Sequence, residues 1–336
     1  MTRFRITIVL VCLAASVSVA AQSKGPGFTV TKIADGVYAA IGDDGGPAGS
    51  NAGFVVGSKG VAVVDTFTAV APAKDLLAEI RKITDLPIKY VINTHYHLDH
   101  VGGNAVFVAA GATIIAQRNV AAWERTENLK FFGANPKPER RALVEGLTLP
   151  DLTYTDALDI DLGDKQLDVR YVLGHTGGDS IVMVRDRQQI VFSGGGGDGG
   201  NVAGQYLGQP KVIFGGDIVW QKHLPNLIDA STGPWIETLD KLIAEHPTAT
   251  FVSGHGGIAS LEDVKAFRSY LAALRKSIQK AQAAGKAGDD LVAAVTADLK
   301  GAYGKWGFFD YFIKPDITFT VAELKGLKKV PVPTKE

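Results

Sequence analysis

The sequence predicts an α/β fold. Three observations carry that reading: short β-type runs joined by turn signals at the start, strand–loop–helix–strand alternation over residues 88 to 116, and an amphipathic helix near the end. Phe28 to Ile33 and Val37 to Ile41 are strand-like, split by the turn pair Asp35-Gly36. A Gly-rich loop over residues 42–50 follows, then Ala52 to Val56 and Val61 to Val64, which read as an antiparallel meander. Pro72 to Ile83 is helical: Leu76, Ile80 and Ile83 fall on one face, and a proline is tolerated near a helix start.

Ile88 to Ile92 reads as a buried strand that runs into Asn93-Thr94-His95, and Gly102-Gly103 opens the next helical stretch. Thr113 to Ala116 is again a strand, whereas residues 125–150 look irregular. Leu158 to Leu173 predicts two strands around Gly163-Asp164, continued by Ile181 to Val184 and Ile190 to Phe192. Residues 194–210 hold eight glycines in 17 positions, a costly composition to order, and residues 194–211 read as an insertion rather than a lid. Val264, Phe267, Leu271, Leu274 and Ile278 repeat at helical spacing, the core-facing stripe of a C-terminal helical extension from about residue 261.

The first residues read as an address. Arg3 and Arg5 precede an apolar run from Ile6 to Val19, and Val19-Ala20-Ala21 offers a cleavage site before Gln22. The run is short for a membrane span of ~20 residues. The expectation is a signal peptide over residues 1–21, a single catalytic domain over 22–336, a periplasmic or secreted location and no stable membrane anchor after cleavage. Cys12 is the only cysteine. Cleavage would leave neither a disulfide nor a thiolate ligand. Acidic and basic residues balance at 35 each before cleavage, so no basic field invites nucleic acid; a small-molecule substrate is expected.

His95-Tyr96-His97-Leu98-Asp99-His100 carries the chemistry. In an extended segment residues two apart point the same way, so His95 and His97 can grip one metal, while Asp99 and His100 lie past the bend. Imidazole and carboxylate suit zinc and similar borderline ions. The chain has seven histidines, and two more, His175 and His255, stand in Gly-flanked turns after strand-like runs.

These motifs resemble the signature of the metallo-β-lactamase superfamily: the His95 to His100 run with Gly102-Gly103, the turns at His175 and His255, and Gly215-Gly216-Asp217, in that order. The resemblance covers roughly residues 28–260 and implies a four-layer αββα sandwich with the site along one edge of the sheets. It implies that His95, His97 and His175 hold one zinc, that Asp99, His100 and His255 hold the other, and that Asp217 bridges both. Asp198 competes for the bridge, but the family places this aspartate one or two residues after a strand, which favours Asp217. Iron or manganese are alternative metals.

Two zinc ions about 3.5–4 Å apart share a water and lower its pKa toward ~7. The expected reaction is hydrolysis of an ester, lactone, thioester or amide carbonyl, with Asp99 also orienting the hydroxide and relaying a proton. The metallo-β-lactamases themselves carry cysteine or serine where Asp217 stands, and an aspartate resembles glyoxalase II and lactonases. β-Lactamase activity and an iron-dependent persulfide dioxygenase-like chemistry remain alternatives. Trp220, His223 and Asn226 follow Asp217 closely and are candidate substrate contacts; Trp123, Phe131 and Phe132 are candidates for an aromatic wall.

Overall fold

Strand pairing begins with the hairpin that Asp35-Gly36 predicts. In the computed structural model, which describes residues 22–25, 27–192 and 202–331, β1 (Gln22–Gly25), β2 (Phe28–Ala34), β3 (Val37–Gly42), β4 (Ala52–Gly57) and β5 (Gly60–Val64) form an antiparallel meander. The proposed leader over residues 1–21 and Asp198 lie outside the described residues. The helix α1 (Val70–Ile83) then crosses to β6 (Ile88–Asn93), which pairs parallel with β5. Leu76 and Ile80 are buried as the spacing requires, but Ile83 is exposed in the last turn.

The short helices α2 (Leu98–Val101) and α3 (Asn104–Ala109) lead to β7 (Thr113–Gln117). After α4 (Arg118–Trp123), residues 125–150 are more regular than their sequence suggests: a 3-10 helix over Glu127–Phe132 and α5 (Pro138–Glu145) precede β8 (Leu152–Tyr154). The helix α5 starts on a proline, as helices tolerate, but is too short for its periodicity to stand out. The strands β1 to β8 lie side by side in chain order in one sheet.

The second sheet contains β9 (Ala157–Asp161), β10 (Lys165–Val172), β11 (Asp179–Phe192), β12 (Val202–Leu207), β13 (Val212–Trp220), β14 (Thr250–His255) and β15 (Ile258–Ala259). The two runs expected within residues 181–192 are one strand. The expected Gly-rich insertion contains β12, which pairs with the far end of β11. Residues 202–207 of it are thus one strand of a ribbon. The helix α6 (Thr232–Glu245) joins β13 to β14 in a parallel crossover, and α7 (Leu261–Ala283), α8 (Gly288–Tyr303) and α9 (Phe309–Leu324) complete the described chain. Ser260 and Asp263 close a reciprocal cap at the start of α7. Among the described residues no helix is long and apolar enough to cross a membrane.

Three apolar layers hold the sandwich together. Val63, Leu76, Ile80 and Phe107 pack the first sheet against α1 and α3. Val55, Ile92, Val169, Val182 and Phe214 fill the space between the sheets. Trp235, Leu239, Phe267, Leu274, Val295 and Ile317 pack the second sheet under α6 to α9. The order is helix, sheet, sheet, helix, the αββα architecture. Leu239 is fully buried in the third layer. Leu239→Ala is expected to cost about 2–5 kcal/mol, read as a lowered urea midpoint at unchanged slope. A midpoint equal to that of the parent protein would contradict this packing.

Candidate metal centre

Six of the seven candidate ligands sit at or beyond the end of a strand, and Asp217 sits within one; all lie along one edge of the sandwich. His95 follows β6, and His97 is the extended residue that caps α2, so the two rings share a side of the chain. Asp99 and His100 lie in the single turn of α2. His175 occupies the turn between β10 and β11, and His255 ends β14. Asp217 lies inside β13, where the parallel pairing with β14 breaks register on both sides of Gly216. Such irregularities re-aim a side chain, and here the aspartate turns into the site.

Two glycines make room for it. Gly216 has φ +48°, and a Cβ there would meet Thr94 Oγ1 at 2.5 Å. A Cβ on Gly254 would come within 1.8 Å of Asp217 Oδ1, so only glycine leaves that oxygen its place.

The Asp217 carboxylate is the meeting point. Its Oδ2 lies 3.2 Å from His175 Nε2, 3.5 Å from His255 Nε2 and 3.9 Å from His95 Nε2, while Oδ1 lies 3.2 Å from His100 Nε2. His175 Nε2 is 3.0 Å from His97 Nδ1, and Asp99 Oδ2 is 3.2 Å from His255 Nε2 and 3.6 Å from His100 Nε2. Two groups emerge: His95, His97, His175 and Asp217, and Asp99, His100 and His255. Asp198 is not needed to complete either.

The donor set fits divalent cations. Ligand atoms about 2.0–2.1 Å from a tetrahedral zinc stand about 3.3 Å from one another, close to the spacings found. His95 Nε2, His100 Nε2 and Asp217 Oδ1 are buried with no hydrogen-bond partner, a costly arrangement that a cation would satisfy.

The ring nitrogens of His95, His97 and His100 that face away from the site are tied down, whereas His175 Nδ1 is buried with no hydrogen-bond partner. Asp65, at φ 59°, accepts from Thr94 N and Thr94 Oγ1, both at 2.8 Å, and faces His100 Nδ1 at 2.8 Å. Thr94 Oγ1 is 3.1 Å from His95 Nδ1. Asp229 Oδ2 is 3.2 Å from His97 Nε2 and accepts from Tyr96 OH, while Lys130 Nζ donates to Asp229 Oδ1. Such partners fix the ring orientation and the tautomer that leaves the other nitrogen free. Lys328 Nζ donates to the carbonyls of Leu227 and Ala230 and anchors the segment carrying Asp229. The Trp220 indole stacks on His255 with centroids 4.1 Å apart.

A model of the metallo-beta-lactamase superfamily matches residues 45–255. The chain belongs to that superfamily. A metallo-beta-lactamase type 2 of Bacteroides fragilis is 23% identical over 265 residues, 76% of this chain and 90% of that relative. A linear primary-alkylsulfatase of a Pseudomonas species is 45% identical over 51 residues, and this chain spans about a tenth of its length. The metallo-beta-lactamase structures from Pontibacter korlensis and Erythrobacter litoralis give TM-scores of 0.51 and 0.53 at 21% and 19% identity. Each comparison covers 75% of this chain and 99% of the other, and the likeness is one of fold.

Within this superfamily scaffold, the cluster opens into a cavity of about 500 Å³, lined in part by Phe131, Phe132, Trp220 and Asn226. Two expectations need correction. His223 does not line the cavity: its ring spans Gln221 O at 2.9 Å and Asp44 Oδ1 at 3.2 Å, a bracing role that its place near Asp217 did not reveal. Trp123 packs edge-on against Tyr96 and backs the His95–His100 loop from behind. Phe308, Tyr311 and Phe312, which sequence reasoning missed, complete the wall. Asp65 directly follows the strand-like run Val61 to Val64, so its position at a strand end was a usable signal, whereas Asp229 stands in no motif.

The charges of the cluster are mutually arranged. Burial pushes His175 down to about 3, so it is neutral at pH 7. Burial works against a charged His255 as well, but Asp217 and Asp99 override it and lift the ring to about 9. His100 is likewise raised despite its burial, by Asp217, Asp99 and Asp65. Without a cation, His100 and His255 are therefore protonated at neutral pH, and a metal must displace those protons. Loading zinc at pH 7 is expected to release at least about two protons, from His100 and His255, with apparent affinity rising with pH while those rings still hold protons. Calorimetric titration of zinc-free protein in buffers of different ionisation enthalpy measures this; release near zero at pH 7 would contradict it.

Proposed function

We propose that the protein is a hydrolase with a dinuclear zinc centre that cleaves an ester, lactone, thioester or amide carbonyl. One observation carries the reading: Asp217 stands within 4 Å of histidines from both ligand groups, where a bridging carboxylate belongs. His95, His97 and His175 would hold one cation, Asp99, His100 and His255 the other, and Asp217 both. Such a pair supplies an activated water at neutral pH and a Lewis acid for the developing oxyanion.

The chain's own residues then handle position and protons. Asp99 is the most open carboxylate of the cluster, with its side chain 31% exposed against 3% for Asp217, and it lines the cavity. Without a cation, burial works against its charge, yet His100 and His255 hold its pKa down at about 2; bound cations would take over that positive charge once they displace the ring protons. It is therefore ionised at neutral pH and able to accept the proton of the attacking water. The water oxygen bonds to the carbonyl carbon, the bond from that carbon to oxygen, sulfur or nitrogen breaks, and Asp99 returns the proton to the leaving atom. Asp65 and Asp229 keep the rings from turning while charge moves.

β-Lactam cleavage is the second reading, because the Bacteroides fragilis relative with that name covers 76% of the chain. A panel of a lactone, an aryl ester, a thioester, an alkyl sulfate and a chromogenic lactam, with and without chelator, separates the readings. Asp99→Ala is expected to lower kcat at least ~100-fold, the usual scale for loss of a general acid–base group, with the circular dichroism spectrum unchanged. Parental turnover in that variant would remove Asp99 from the reaction.

We also infer export to the periplasm or beyond, on the basic and then apolar run before Gln22. N-terminal sequencing of the secreted or periplasmic protein is expected to start at Gln22. A protein retaining Met1 and found only in the cytosol would refute export.

A further inference from the structure

The cavity beside the metal cluster is walled by rings from two distant parts of the chain. Phe131 stands edge-on to His97 with centroids 5.0 Å apart. Phe308 lies 6.1 Å from His255 and leads into Phe312, 5.8 Å away, at the start of α9. Each candidate metal position is thus flanked by an aromatic wall. The rim is apolar too: Phe131 is 38% and Tyr311 74% exposed.

The charges of this wall are as informative as its shape. Among the described residues no lysine or arginine lines the cavity. Lys130 and Arg140 lie over the rings of Phe131 and Phe132, at 5.9 and 5.2 Å, but neither lines it, and the Lys130 ammonium is engaged by Asp229 and Glu127. The neutral polar groups are Thr68, Asn226 and the hydroxyl of Tyr311 at the exposed rim, and Asn226 Oδ1 already accepts from Ile228 N. A carboxylate or phosphate placed here, away from the cations, would lose its water and gain no counter-charge. An alkyl or aryl group would gain from burial against the rings.

We propose that the part of the substrate remote from the scissile carbonyl is an uncharged apolar chain or ring, seated between Phe131 and Phe132 and the aromatic start of α9. The site therefore selects neutral acyl esters and lactones over substrates with a second anionic group. The inference rests on the hydrolase reading for its reaction, and on the cavity alone for its selectivity.

The test separates the two. With zinc-loaded full-length protein, kcat/KM for p-nitrophenyl esters from butanoate to decanoate is expected to rise by up to about fourfold per methylene until the cavity is filled. It is expected to fall at least about tenfold when a carboxylate ends the chain, since a buried unpaired charge is costly. Independently, the neutral fluorophore N-phenyl-1-naphthylamine is expected to bind zinc-free protein at one site and be displaced by decanamide. Tyr311→Asp, at an exposed position, and Phe312→Asp should each weaken that binding severalfold or more, and Phe312→Leu should preserve it. Dye binding with these responses, but no hydrolysis of any ester, lactone, thioester or amide, would support the apolar cavity and sink the hydrolase reading. Esters ending in a carboxylate hydrolysed as fast as their neutral counterparts, or dye binding indifferent to both aspartate variants, would overturn the inference.

Discussion

The Asp217 carboxylate, buried among four histidine nitrogens from three separate segments, is the contact on which the rest of the site depends. Four ionisable rings crowded around one anion form a poor arrangement for a protein interior by itself. Several of their nitrogens have no hydrogen-bond partner, and their proton affinities are driven apart. The scaffold must hold this geometry before a cation arrives. It does so through the register break in β13, the missing Cβ of Gly254, and carboxylates that clamp the outward ring nitrogens.

The legible part of this arrangement was the part carried by local pattern. Alternation and turn pairs located β2 to β5, and helical spacing located α1 and α7. The six-residue histidine run announced the first ligands, and glycines beside His175 and His255 announced the later ones. Residues 125–150 were harder, because α5 is too short to show a period and the 3-10 turn before it has none. Ile83 was misplaced because a stripe read at constant pitch does not show where a helix leaves its sheet. Partners that act from behind the ligands were hidden for a different reason. Asp229 meets His97 across more than 130 positions, and nothing local marks such a pairing. His223 shows the converse error, since closeness in sequence to Asp217 placed it beside the cavity rather than inside it.

The C-terminal helices join two roles. Their buried faces, with Leu274, Val295 and Ile317, complete the outer layer of the second sheet. The first residues of α9 then reach the mouth of the site through Phe308, which adopts a left-handed backbone at φ 60°. The His223 ring lies 5.0 Å from Phe308 and pairs its segment with Gly307. The residue that does not touch the cavity thereby positions one that does.

Asn51, at the start of β4, has a further consequence. Its side-chain amide donates to the carbonyls of Ser253 and Gly256, its backbone N–H donates to Gly254 O, and its side-chain oxygen accepts from Gly42 N. One residue of the first sheet thus rivets the strand end that presents His255, while His95 to His100 hang from the opposite side of the same seam. Sliding one half of the sandwich over the other would pull the ligand set apart. Occupancy by a cation is therefore coupled to the cohesion of the whole molecule, and thermal resistance should track metal content as a global property, not as the melting of one loop.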